Sequence, residues 1–170
     1  MKKYAAALGD ILLQQGVLKA EDVQALKKDF TAGDPAQLNY FLLDEGLVSK
    51  EELLKALSQY YEVPYFDVRG YQFNHDLLSL FPQDLLVRNA IIPIEFDGAI
   101  ITMVVGNPHD QELREKIQQF LPQHILEFRV GIVRDIVDEA RAYYESPPEE
   151  IGLAEEEEEE ESTEDITDLY

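Results

Sequence analysis

The sequence has no cysteine. That excludes a disulfide framework, a thiol nucleophile and a thiolate zinc site. Bases are scarce: 14 Lys and Arg stand against 35 Asp and Glu in 170 residues, a formal net charge of −21. Nucleic-acid binding through phosphates needs clustered Lys and Arg, so no nucleic-acid partner is expected. Docking on anionic lipid is excluded on the same ground. No apolar run approaches the ~18 residues of a membrane span, so no direct membrane insertion is expected. The apolar stretch Tyr4–Leu8 is also short of the ~7–15 residues of a signal-peptide core. The start therefore reads as a mature N-terminus, and the expected compartment is cytoplasmic.

Catalytic signatures are missing too. There is no Gly-x-x-x-x-Gly-Lys-Ser/Thr loop and no Gly-x-Gly-x-x-Gly turn after a strand. His75, His109 and His124 fall in different elements without the His-Glu-x-x-His spacing of a zinc helix. Glu51 and Glu52 read as first-turn carboxylates that favour a helix dipole. No enzyme, no metal and no cofactor are expected.

What is present is unevenly distributed. Residues 146–170 hold twelve carboxylates and no base, including seven consecutive Glu at 155–161. Such a segment buries too little apolar surface to offset its ordering entropy, so a disordered acidic tail is expected there. Residues 1–145 carry a net charge of −9.

Residues 1–62 read as four helices. Leu8, Ile11 and Leu12 form an i, i+3, i+4 stripe that Gly16 ends. Val23, Leu26 and Phe30 mark a second stripe. Leu38, Phe41 and Leu42 mark a third, ended by Gly46. Ser49 and Glu52 make a capping box for a fourth helix with Leu53, Leu57 and Tyr60 on one face. LGDILLQQGVLKAEDV at 8–23 aligns without gaps to LNYFLLDEGLVSKEEL at 38–53. A helix–Gly–helix unit is thus used twice, and a pseudo-symmetric four-helix subdomain is expected.

Residues 63–145 read as mixed. VPYFDV at 63–68 is an extended link, since Pro64 biases Val63 away from the helical region. Asn74 caps a short helix and Pro82 opens another. IIPIEF (91–96) and AIITMVV (99–105) flank Asp97-Gly98, a hairpin with an expected type I′ turn. Pro93 predicts an edge strand or a bulge. A helix at 110–121, a third strand at 125–132 and a helix at 133–145 follow. The expected fold class is α+β: the helical subdomain (1–62) packed on a mixed subdomain with a small three-stranded sheet (63–145), then the tail (146–170). Each subdomain alone is a marginal core.

The order of these segments resembles a known module, the N-terminal domain of the type II secretion and type IV pilus assembly ATPases. The resemblance covers about 5–145. The first half resembles its tandem motif, Arg-Leu-Gly-x-x-Leu-x-x-x-Gly followed by Leu-x-x-x-Leu-x-x-Gln. LSQYYEVPYFDV at 57–68 resembles its exit into a Pro-containing link. PQDLLVRNAIIPI, the hairpin, VVGNPHDQELREKI and a last helix ending in Tyr-Tyr follow in the same order. The resemblance implies a regulatory and docking module, here a stand-alone copy without the motor.

In some members the tandem motif binds cyclic di-GMP. Carried over by residue, the first motif keeps Leu8, Gly9, Leu12, Gly16 and Val23. The second keeps Leu38, Leu42, Gly46, Leu53 and Leu57, with Asn39 in place of Gly. Ala7 and Gln37 stand where Arg is expected, and Phe30 and Tyr60 where Gln is expected. Lys27 replaces the second Leu of the first motif. Arg supplies the forked donor suited to phosphate and guanine, and Asn39 adds a side chain where backbone would approach the ligand. Both departures argue against cyclic di-GMP as a partner.

The resemblance therefore implies a non-enzymatic adaptor that binds a protein of a secretion, pilus or motility apparatus. Tyr40 and Phe41 on the third helix are candidate contacts. So are Ile166, Leu169 and Tyr170 in the tail, as anchors of a short linear motif. The tail's charge would raise the on-rate with a basic partner more than its affinity.

Overall fold

In the computed structural model, which describes residues 2–30 and 34–145, the chain begins with four helices. They are α1 (Lys2–Gln14), α2 (Ala20–Asp29), α3 (Pro35–Asp44) and α4 (Lys50–Tyr61). The tail residues Ile166, Leu169 and Tyr170 lie outside the described residues, as does the whole of 146–170.

The two repeats close in the same way. Gly16 has φ 78° and Gly46 has φ 73°. Val17 N–H donates to the Leu12 carbonyl at 2.9 Å and Leu47 N–H to the Leu42 carbonyl at 3.0 Å. Gly16 and Gly46 N–H donate to Leu13 and Leu43. Each is a Schellman closure, whose left-handed residue carries no penalty as Gly. A Cβ would meet nothing within 4 Å at either position, so conformation and not space demands the glycine.

The helix starts repeat as well. Ser49 N–H donates to Glu52 Oε1 at 2.8 Å and Glu52 N–H to Ser49 Oγ at 3.1 Å. One repeat earlier, Lys19 N–H donates to Asp22 Oδ2 at 3.2 Å. Asp34 caps α3 through Ala36 N–H at 3.0 Å, with Pro35 as first helical residue.

The mixed half contains α5 (His75–Leu78), α6 (Gln83–Asn89), β1 (Ile91–Phe96), β2 (Ile100–Val105), α7 (Gln111–Phe120), β3 (Ile125–Val130) and α8 (Val133–Glu145). Asn74 caps α5 through Leu77 N–H at 3.1 Å. The sheet order is β1-β2-β3, with β1/β2 antiparallel and β2/β3 parallel across α7. Pro93 sits on an edge strand and next to a register shift between Pro93 and Glu95. Both devices accommodate a residue that cannot donate to the ladder.

The hairpin corrects the expected type I′ turn. Only Gly98 there has a positive φ, 99°, so the central residues are Gly98 and Ala99 in the II′ pattern. The Asp97 carboxylate moves the turn by one residue. It accepts from Ala99 N–H at 2.9 Å and Ile100 N–H at 2.7 Å, while Asp97 N–H donates to the Ile100 carbonyl at 3.2 Å.

Two apolar clusters form, one per half, and they meet at β3. Val130 and Ile132 are buried among the helical residues Leu53, Leu57 and Tyr61. The link joins in: Phe66 N–H donates to the Val130 carbonyl and Val130 N–H to the Pro64 carbonyl, both at 2.9 Å. Charged groups close the seam. Asp135, 7% exposed, pairs with Lys50 at 3.2 Å and Arg69 at 3.1 Å. Arg134 grips both Asp44 oxygens at 3.1 and 3.3 Å. No helix among the described residues is long and apolar enough to cross a membrane.

Candidate functional site

The tandem motif folds into the centre of the helical half. Leu8, Leu12, Leu38, Leu42 and Leu53 are fully buried, and Val23 and Leu57 nearly so. These positions build the core of the helical half. Gly9 serves helix approach: a Cβ there would stand 3.1 Å from Val23 Cγ1. It lets α1 and α2 pack closely.

The second repeat differs at the equivalent place. Asn39, 8% exposed, accepts a hydrogen bond at Oδ1 from the Tyr4 hydroxyl at 2.6 Å. Tyr4 is itself buried and begins an aromatic belt. Its ring meets Tyr60 edge-on at 5.0 Å, Tyr60 meets Tyr61 at 4.8 Å, and Tyr61 meets His109 at 5.4 Å. His109 Nε2 lies 2.9 Å from the Tyr61 carbonyl. The belt runs from the first helix to the start of α7. Burial pushes the Tyr4 hydroxyl well above the ordinary tyrosine range, and neighbouring Tyr61 adds to it. Burial likewise lifts Tyr61 to about 12.

The places of the motif's polar residues are taken by packing. Phe30 lies against Phe41 with ring centroids 5.0 Å apart. Tyr60 is held in the belt. Ala7 and Gln37 offer no cation, and the nearby Lys27 is paired with Asp10 at 3.4 Å. Neither motif position for Arg supplies a guanidinium, and Arg134, which reaches α3 from the other half, is paired with Asp44.

Beside it lies a cleft of about 330 Å³ between the halves. Asn39, Tyr61, Asn89 and Asn107 contribute to its lining, together with Asp34 and Asp110. No base lines it. Both carboxylates already accept helix N–H groups, Asp34 from Ala36 and Asp110 from Leu113 at 3.1 Å. This cleft suits neutral polar groups and opposes anions.

The candidate contacts on α3 part company. Phe41 is 39% exposed. Tyr40 is half-buried, with the Arg134 guanidinium 4.6 Å above its ring. Tyr40 thus belongs to the seam between the halves. Sequence reasoning missed Tyr4 as the partner of Asn39. The one available signal was an aromatic residue on the buried stripe of α1, one turn before Leu8.

The MshEN domain model matches residues 61–150, just over half of the chain. The helical repeats lie almost wholly outside that match. Among curated proteins, the type IV pilus assembly ATPase PilB of Myxococcus xanthus is 18% identical over 101 residues, 59% of this chain. The chain spans only 18% of that protein's length. Among solved structures, MshE with cdg superposes with a TM-score of 0.61 at 24% identity, covering 81% of this chain and 98% of the other. The N-terminal domain of XpsE gives 0.52 at 16% identity, covering 81% and 94%. These likenesses show a shared fold across both halves.

Proposed function

Since the chain belongs to the MshEN domain family, we propose that it is a non-enzymatic docking and regulatory module of a secretion, pilus or motility machine. The reading is carried by one observation. The helical half keeps the apolar scaffold of the tandem motif and its Gly9, Gly16 and Gly46, while Asn39, hydrogen-bonded to Tyr4, stands in place of a glycine and Phe30, packed on Phe41, in place of a polar glutamine. A scaffold kept without its charged groups serves recognition of a protein surface. The partner is the cytoplasmic part of an inner-membrane platform protein, met through the exposed Phe41 side of α3.

The alternative is a cyclic di-GMP receptor, by analogy with MshE. Its two phosphates would meet no free guanidinium on the motif face and a globule of net negative charge.

Surface-immobilised cytoplasmic domains of secretion and pilus platform proteins, titrated with the full chain, test the reading. Saturable binding that Phe41→Asp weakens is the expected result. Lack of binding to every such domain, with Phe41→Asp indistinguishable from the parent, would overturn it.

A further inference from the structure

The open face of the sheet carries a row of side chains that neither the motif nor the seam uses. Strand register sets Glu95 of β1 opposite Thr102 of β2, and Thr102 opposite Glu127 of β3. Directly paired residues share a face, so the three form one line across the sheet. The bulge after Pro93 makes the row. Regular pairing would bring Ile94 opposite Thr102, and the extra residue brings Glu95 there instead.

The row borders a cavity of about 590 Å³, within the range of ~300–1,000 Å³ typical of binding sites. Thr102 lines this cavity, is only 5% exposed, and has no hydrogen-bond partner for its hydroxyl among the described residues. The hydroxyl is not among the buried unsatisfied groups, so it opens to the cavity and is free to accept from a group that enters it. Glu95 and Glu127 have no ion-pair partner among the described residues. Asp97 adds a third carboxylate, held below the usual carboxylate range by the Ile100 and Ala99 N–H groups it accepts from. Arg129 is the single base of the lining, so carboxylates outnumber it three to one. Tyr71, tied to the Ile94 carbonyl at 2.9 Å, supplies aromatic surface.

We propose that this groove receives a lysine or arginine side chain from an extended segment of a partner protein. The cation sits between Glu95 and Glu127 and donates to the Thr102 hydroxyl. Its aliphatic stem lies against Tyr71. Charge complementarity selects the occupant, since the same carboxylates repel a phosphate or an acidic peptide. The inference rests on the docking-module reading, but it uses a different face from Phe41.

The probe is acetyl-Val-Arg-Val-Arg-Val amide, titrated into the ¹⁵N-labelled full chain at low salt, with acetyl-Val-Gln-Val-Gln-Val amide as control. The expected result is saturable shifts at the Glu95, Thr102 and Glu127 amides with the basic peptide alone. Glu95→Gln with Glu127→Gln weakens binding by roughly tenfold. Thr102→Val weakens it severalfold while leaving the unfolding midpoint unchanged or higher, because an unpaired hydroxyl is removed. Shifts confined to the acidic residues 146–170, or an affinity unchanged by the double substitution, would overturn the proposal. The platform-domain assay run on the same variants stays at parental strength, so failure here is separable from failure of the docking reading.

Discussion

The Tyr4 hydroxyl and Asn39 Oδ1 meet at 2.6 Å across 35 residues of chain, tying the first helix of one repeat to the first helix of the other. Repeat symmetry would place a glycine at 39, as at Gly9. The chain instead spends that position on a buried amide and satisfies it with a tyrosine from outside the repeat.

Tyr4→Phe leaves the Asn39 amide buried without its donor. The expected loss is about 1–3 kcal/mol by urea unfolding of the full chain. Combining it with Asn39→Leu should recover most of that loss, because both polar groups are then gone. Asn39→Gly, which restores the family residue, should lose only about 0.3 kcal/mol of helix propensity in addition to stranding the Tyr4 hydroxyl.

Alkaline pH acts on the same belt. Tyr4 and Tyr61 both have folded-state values above the ordinary tyrosine value of about 10. Folding favours their neutral forms. Their contribution is fully present below about pH 10 and is lost as pH rises from there through the folded values, about 12 for Tyr61. Stability should therefore fall above about pH 10, and less steeply in Tyr4→Phe, as read by denaturant midpoints across pH.

Gly16 and Gly46 should respond alike. Each is left-handed with open space where a Cβ would go. Gly16→Ala and Gly46→Ala should each cost about 1–2 kcal/mol from backbone strain alone. The corresponding Asn substitutions should cost less, since Asn tolerates this conformation. Thermal melts of the four variants check it.

Asp135 is the carboxylate that Lys50 of the helical half and Arg69 after the link share. Asp135→Ala removes both ion pairs, while Lys50 keeps Asp67 and Arg69 keeps Asp138 and Glu139 as partners. The expected cost is about 1–3 kcal/mol. Arg134→Ala, which breaks a more exposed pair with Asp44, should cost under about 1 kcal/mol. Hydrogen exchange at the seam amides Phe66 and Val130 should quicken more in Asp135→Ala than in Arg134→Ala.

Much of this architecture was legible in the chain because it rests on local rules. Gly16 and Gly46 announced the two closures, Ser49–Glu52 and Asn74 announced helix starts, and Pro93 announced an edge and a bulge. The Asp97 turn was misplaced because its type depends on where one carboxylate finds N–H groups. The functional features were less legible because they join distant residues. Tyr4 and Asn39 are far apart in sequence, as are Arg134 and Asp44, and no period or spacing connects them. The row Glu95–Thr102–Glu127 depends on strand order and on a one-residue bulge, which a pattern of apolar positions does not encode.

Whether the motif face is a filled scaffold or a nucleotide receptor is tested most directly by titrating the ¹⁵N-labelled full chain with cyclic di-GMP. The Gly16, Gly46 and Asn39 amides should stay unmoved at high micromolar ligand, while a control receptor responds. Saturable shifts at those amides in the micromolar range would show that the Tyr4–Asn39 pair yields to ligand, and the chain would then be a second-messenger sensor.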